Sequence, residues 1–245
     1  MVTDRLAVRL IFLKMLRLIK NILLWQLFLM LAGCAQLPEY ARPRVLDVED
    51  RQFSLEQAFT YRALSVDDFQ AQSLPEDLVS HSQNIAAHAC CRIRTINGTR
   101  YKITRGYLNQ QINYFGSILS VDFEAVMNPD CSWLNPDIAE EKLEYVLQHE
   151  QIHFALMELA ARELNREAKE EIKNFIAIQS TRKAARDEMT AKIKDMVRTA
   201  TDAVLIEHTA FDEDTSLYFD PEIQQRWFEK VEEKLILTAP QTRDD

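Results

Sequence analysis

Glycine is scarce, at four residues in 245. Together with 27% charged residues, this points to a helix-rich domain and away from a sheet sandwich full of tight turns. Repeats and low-complexity tracts are absent. So is any basic cluster. The chain is net −9, and residues 1–33 hold Arg5, Arg9, Lys14, Arg17 and Lys20 against Asp4 alone, which leaves the remainder at net −13. That balance argues against a nucleic-acid partner and against adhesion to anionic lipid by charge. The apolar run at residues 22–31 is too short to span a bilayer and has the length of a signal-peptide core. No Cys-x-x-Cys spacing is present, which argues against a cysteine-rich zinc site.

What is there begins with that leader. Its basic first half and apolar second half end in Leu31-Ala32-Gly33-Cys34, small residues followed at once by cysteine. The junction resembles the lipobox of bacterial lipoproteins, in which the cysteine is lipidated and becomes the first mature residue. The resemblance implies lipidation at Cys34. With Ala35 and not Asp following, it implies an outer-membrane anchor and a domain facing the periplasm. A secretory signal cut without lipidation and a membrane anchor are the alternatives. Residues 34–58 contain Pro38 and Pro43 without periodicity and read as a tether. The folded domain then spans residues 59–237, with a tail at 238–245.

Within the domain, Ser65-Val66-Asp67-Asp68-Phe69 reads as a capped single turn and residues 70–85 as a polar loop around Pro75. Residues 89–96 and 101–105 flank Asn97-Gly98 and read as a β-hairpin, with residues 118–127 as a further strand. Apart from Cys34, the cysteines are Cys90, Cys91 and Cys131. Adjacent cysteines rarely bridge each other, so in an oxidising compartment the expected disulfide joins Cys131 to either Cys90 or Cys91.

The richest stretch is residues 145–164, with His149, Glu150 and His153 at its centre. Two histidines four apart on a helix lie on one face one turn apart, so both imidazoles reach a single ion, while Glu150 beside them can hold a metal-bound water. This is the His-Glu-x-x-His zinc arrangement. Asn135-Pro136-Asp137 reads as the start of its helix, as N-cap, first-position proline and first-turn acid. Residues 166–206 carry apolar residues at helical spacing, among them Ile172, Phe175, Ile176 and Ile193. They read as one long or two shorter helices packed back on the metal helix, with Arg182, Lys183 and Arg186 as a solvated patch.

Three blocks carry a family resemblance. Leu64 to Phe69, Met127-Asn128-Pro129-Asp130-Cys131-Ser132-Trp133, and His149 to Phe154 followed by Glu158-Leu159-Ala160-Ala161-Arg162 resemble, in that order, the bacterial domain-of-unknown-function 922 family. Its members are predicted secreted zinc-dependent proteases. The resemblance covers about residues 60–233. In that family an aromatic-Asp-x-x-Thr-x-His-Gly motif precedes the last helix. Phe211, Asp212 and Thr215 match it here, whereas Leu217 and Tyr218 stand in place of His and Gly. The match implies Asp212 as third metal ligand. His208, one helical turn earlier, is the alternative. Glu158 lies about half a turn round from His149 and faces away from the ion, where it can pair with a basic group behind the helix.

The expected architecture is α+β and zincin-like, a small antiparallel sheet packed on the His-Glu-x-x-His helix and followed by long helices. The expected function is a lipid-anchored Zn2+ metallopeptidase acting on a peptide or protein in the cell envelope. His149, His153 and Asp212 bind the metal, Glu150 is general base, and nucleic acid is no partner. The rival readings are a non-catalytic envelope lipoprotein that keeps the fold as an interaction module, and a cell-wall amidase.

Overall fold

The computed structural model describes residues 37–44, 57–96, 98–216 and 219–239. The leader with Cys34, Asn97, Leu217, Tyr218 and residues 240–245 lie outside the described residues. The chain divides into units Met1–Gln36 and Leu37–Asp245, and every element named below belongs to the second. In order these are β1 (Phe59–Thr60), β2 (Ala87–His88), β3 (Cys91–Thr95), β4 (Arg100–Leu108), β5 (Gln111–Ser120), β6 (Phe123–Met127), β7 (Trp133–Leu134), α1 (Glu140–Lys173), β8 (Ala177–Gln179), α2 (Arg182–Thr215) and α3 (Pro221–Leu237). The architecture is α+β. Its strands form three small antiparallel sheets, β1-β6-β3, β2-β7 and β4-β5-β8. No described helix is long and apolar enough to cross a membrane.

Helix α1 runs 34 residues without glycine or proline, opens on Glu140 and Glu141 and closes on Lys173, charges that complement its dipole. Its Ile152, Phe154, Ala155 and Leu156 are buried in the core that β6 also enters, where Ala125, Val126 and Met127 are fully buried. The rings of Phe59 and Tyr61 meet Phe154 edge-on, at centroid distances of 6.0 and 5.2 Å. Truncating Phe154 to alanine would cost about 3–5 kcal/mol.

The helix starts later than its sequence signals say. Asn135 is engaged elsewhere: its N–H donates to Ala86 O (2.9 Å), and its Oδ1 accepts from the Asp137 N–H (2.9 Å). These bonds hold Asn135 in a turn that continues the β2-β7 ladder, and Ala139 becomes the N-cap. The hairpin expected around Asn97-Gly98 does not form either. β3 pairs with β6, which buries Ile93 opposite Ala125, and β4 pairs with β5. Burial of a strand face outweighed the local turn signal. The tight turn is Asn109-Gln110, with both residues at positive φ (51° and 63°) as such two-residue turns require. Residues 118–127 are two strands, broken at Val121 and Asp122, where Ile96 N–H donates to Asp122 O (2.8 Å). Phe175 and Ile176 lie between α1 and β8, outside any helix, and α2 begins at Arg182 with Thr181 Oγ1 accepting from Ala184 N–H (3.1 Å).

Candidate metal centre

The site is assembled where α1, α2 and α3 meet, and a network of polar contacts sets the position of α1. Gln151, inside the His-Glu-x-x-His segment, accepts from Leu64 N–H (2.7 Å) and donates to Arg62 O (3.3 Å). Ser65 caps a 3-10 turn at Val66–Asp68, and Asp68 accepts from Ser65 N–H (2.8 Å) and pairs with Arg62. Gln70 and Ala71 then donate to Pro129 O (3.0 Å) and Ser132 O (2.9 Å). The three blocks that are separate in sequence therefore interlock in space. A disulfide between Cys90 and Cys131 joins the beginning of β3 to the same region, which answers the question left open by sequence, and among the described residues Cys91 is the free thiol.

Three ligand atoms face one point. His149 Nε2 and His153 Nε2 are 3.1 Å apart, and Asp212 Oδ1 lies 3.1 Å from the first and 3.0 Å from the second. Nitrogen and oxygen ligands held about 2.0–2.1 Å from a shared tetrahedral ion stand roughly 3.3 Å apart, so the set is spaced to hold a metal ion. Asp212 is buried and the two histidines are half-buried, and the group mixes two imidazoles with one carboxylate. Asp212 lies on α2 itself, three residues before its end, and continues the buried stripe Met189, Ile193, Met196, Val204, His208. That stripe is apolar until it reaches the site, then turns polar. Extending its helical spacing past Val204 lands on His208 and Asp212, a signal present in the sequence.

A second layer of groups orients the imidazoles. His149 Nδ1 donates to Gln224 Oε1 (3.2 Å), and Gln224 Nε2 donates to Tyr145 O (2.9 Å) and Gln148 Oε1 (2.9 Å). Gln224 is fully buried on α3. Sequence reasoning assigned it no role, because only packing shows a glutamine turned inward. His153 Nδ1 lies 2.9 Å from His208 Nδ1, and the two rings stack at 4.8 Å. His208 thus contacts His153 and does not join the triangle. Phe211, fully buried, stacks on His149 at 4.5 Å and meets His153 edge-on at 5.0 Å. Hydrogen-bonded ring nitrogens on the far side from the ion fix which nitrogen remains for the metal.

Electrostatics follow from this geometry. Burial alone would raise the Asp212 carboxyl, but the neighbouring His153 and His149 outweigh it and hold it well below the usual carboxylate range. Burial alone would lower His153, yet the charge and hydrogen bond of Asp212 win and hold it above 6.5. At His208 the charge of Asp212 raises the value too little to compensate. Burial, reinforced by His153, pushes it down to about 3.

Glu150 is buried on the same turn of α1, and its Oε2 accepts from Ala89 N–H (3.0 Å). It borders a cavity of about 490 Å³ that the three ligand residues share with His88 on β2. Part of the stretch read as tether forms the opposite rim: Tyr40 stacks on His81 at 4.0 Å and Arg44 pairs with Asp77 at 3.0 Å. Glu158 is apart from the site and accepts from Arg162 Nε (2.8 Å), the pairing behind the helix that its position on α1 implied. No family model matches the chain, and none of the curated proteins or solved structures compared with it is similar.

Proposed function

We propose that this protein is a zinc-dependent metallopeptidase of zincin-like fold, anchored in the cell envelope through lipid on Cys34. The observation that carries the reading is the triangle of His149 Nε2, His153 Nε2 and Asp212 Oδ1, with sides of 3.0–3.1 Å, next to the buried carboxylate of Glu150. The resemblance of its three sequence blocks to the domain-of-unknown-function 922 family supports the same reading.

Zinc bound by these three residues would supply a water of pKa about 7 and polarise the substrate carbonyl. The chain's own residues do the rest. Ala89 N–H holds Glu150 Oε2, and Oε1 has no hydrogen bond among the described residues, so it is available to accept the proton of the attacking water and return it to the leaving amine. Strand β2 borders the cavity, is paired with β7 along one side, and offers its other side to an extended peptide. His149 and His153 are kept as ligands through Nε2 by Gln224 and His208.

Metal analysis of the purified full chain beside His149→Ala, with cleavage of a mixed peptide library, tests the proposal. The expected result is about one zinc per chain in the parent and almost none in the variant, with peptide hydrolysis in the parent alone. A parent that holds zinc and opens cell-wall amides in place of peptide bonds would be an amidase. One that holds no zinc and cleaves nothing would overturn the reading.

A further inference from the structure

The net charge conceals a local imbalance. Residues 78–121 contain no aspartate or glutamate and carry Arg92, Arg94, Arg100, Lys102 and Arg105, in a chain of net −9. Arg94 is paired with Glu124 across the sheet at 2.8 Å. Arg100, Lys102 and Arg105 on β4 are exposed, and none of them enters an ion pair among the described residues.

Just behind its polar Asn109-Gln110 turn, the same hairpin carries exposed apolar side chains. Near its base the inner face is closed by α2: a Cβ at Gly116 would lie 3.0 Å from Met189, and the Arg186 guanidinium stands 5.8 Å from the Tyr101 ring. At about 3.4 Å per residue, Tyr107 is about 14 Å further along the strand than the half-buried Ile103. There Tyr107 is 73% exposed, Leu108 43% and Ile112 44%. Tyr107 and Ile112 are cross-strand partners on one face, and Leu108 points to the other. Each face next to the turn therefore carries an exposed apolar side chain, Tyr107 and Ile112 on one and Leu108 on the other, with cations behind them.

We propose that the β4-β5 hairpin docks on an anionic phospholipid bilayer. Tyr107, Leu108 and Ile112 enter the boundary between headgroups and acyl chains, and Arg100, Lys102 and Arg105 meet the lipid phosphates. Tyrosine suits that boundary because one end of its ring is apolar and the other polar. A second copy of the chain suits it less well: β4 is the outer strand of its sheet, and three like charges along an outer strand oppose edge-to-edge pairing. An acidic protein surface would satisfy the cations, but apolar side chains exposed on both faces of the hairpin, beside a polar turn that suits the headgroups, are covered by a bilayer without a matching pocket. The acidic remainder of the chain is repelled by the same lipid, so contact is confined to the hairpin. This surface is independent of the metal.

Hydrogen exchange of the full chain tests the proposal site by site, so attachment through the N-terminal apolar run does not confuse the reading. With phosphatidylglycerol-containing vesicles, amides in residues 105–113 should exchange several-fold more slowly. With phosphatidylcholine alone they should not change. The slowing should be lost in Arg100→Glu/Lys102→Glu/Arg105→Glu, and likewise in Tyr107→Ser/Ile112→Ser. Unchanged exchange in β6 and α1 would show that both variants are folded. Equal protection by neutral vesicles, no protection by anionic ones, or lipid-free protection that rises with protein concentration would each overturn the proposal, the last in favour of a second copy.

Discussion

The Nδ1 atoms of His153 and His208 lie 2.9 Å apart, so one ring donates and the other accepts. His208 is held near 3 by burial and by His153, and near neutral pH it is uncharged and free to accept. With a metal at His153 Nε2, the His153 proton sits on Nδ1 and is donated to His208. The histidine that sequence offered as an alternative ligand instead contacts His153, a member of the triangle that could hold the ion. His208→Ala should weaken zinc binding about 10–100-fold, as loss of an orienting partner does, and Gln224→Ala should act similarly through His149. Asp212→Ala should lose the metal far more completely. Competition titration against a chelator ranks the three, and equal losses for His208 and Asp212 would place His208 among the ligands.

Glu150→Gln preserves the shape of the side chain and keeps an oxygen for Ala89 N–H, but it cannot take a proton near neutral pH. The variant should retain zinc and its fold while hydrolysis falls about 10²–10⁴-fold. If it loses zinc as readily as His149→Ala, the carboxylate is a ligand and the assigned roles are wrong.

Acid should destabilise the metal-free protein through His208. Its folded value of about 3 lies below the ordinary 6.5, so the unfolded chain takes up the proton first. The contribution is complete above pH 6.5 and is lost as pH falls toward 3, by about 1.4 kcal/mol per pH unit. Asp212, depressed below the usual range, loses its own contribution as pH falls below 3.8. His153, held above 6.5, acts oppositely, contributing fully below 6.5 and less as pH rises through its folded value. Urea unfolding at pH 6, 5 and 4 should therefore show a steep loss of stability that His208→Asn flattens. An unchanged slope in the variant would refute the assignment.

The Cys90–Cys131 disulfide closes a loop of sequence separation 41, and on the chain-entropy account its removal by Cys131→Ser should cost about 4 kcal/mol. Non-reduced peptide mapping should recover that pair. Burial raises the Cys91 thiol well above its ordinary value, so Cys91 should resist alkylation until the protein unfolds. Rapid labelling of Cys91 in the native state would contradict this.

Anchoring is tested separately. Cys34→Ser should abolish incorporation of a palmitate analogue and leave an unprocessed or soluble chain, while retained label would remove Cys34 from the anchor.

Local chemistry was legible. The Ser65 cap with Asp68 three residues on, the long gap-free helix through His149 and His153, and the single Cys131 facing two adjacent cysteines follow from spacing and side-chain type. Signals of the same local kind misled at Asn135, where hydrogen bonds to the β2-β7 region displaced the helix start, and at Asn97-Gly98, where burying Ile93 against β6 took β3 away from β4.

The sequence by itself determined that His149, Glu150 and His153 share a helix, because the helical repeat is a property of the backbone that needs no partner. It also placed His208 and Asp212 on an inward stripe for a reader who extends the spacing. Only the tertiary structure decided that Asp212 completes the triangle while His208 stands behind His153, that Gln224 holds His149, and that Cys90 and not Cys91 meets Cys131. Each of those choices pairs atoms from elements distant along the chain, and their relative position is set by how α1, α2, α3 and β6 bury their apolar faces together, a balance over the whole core that no local pattern records.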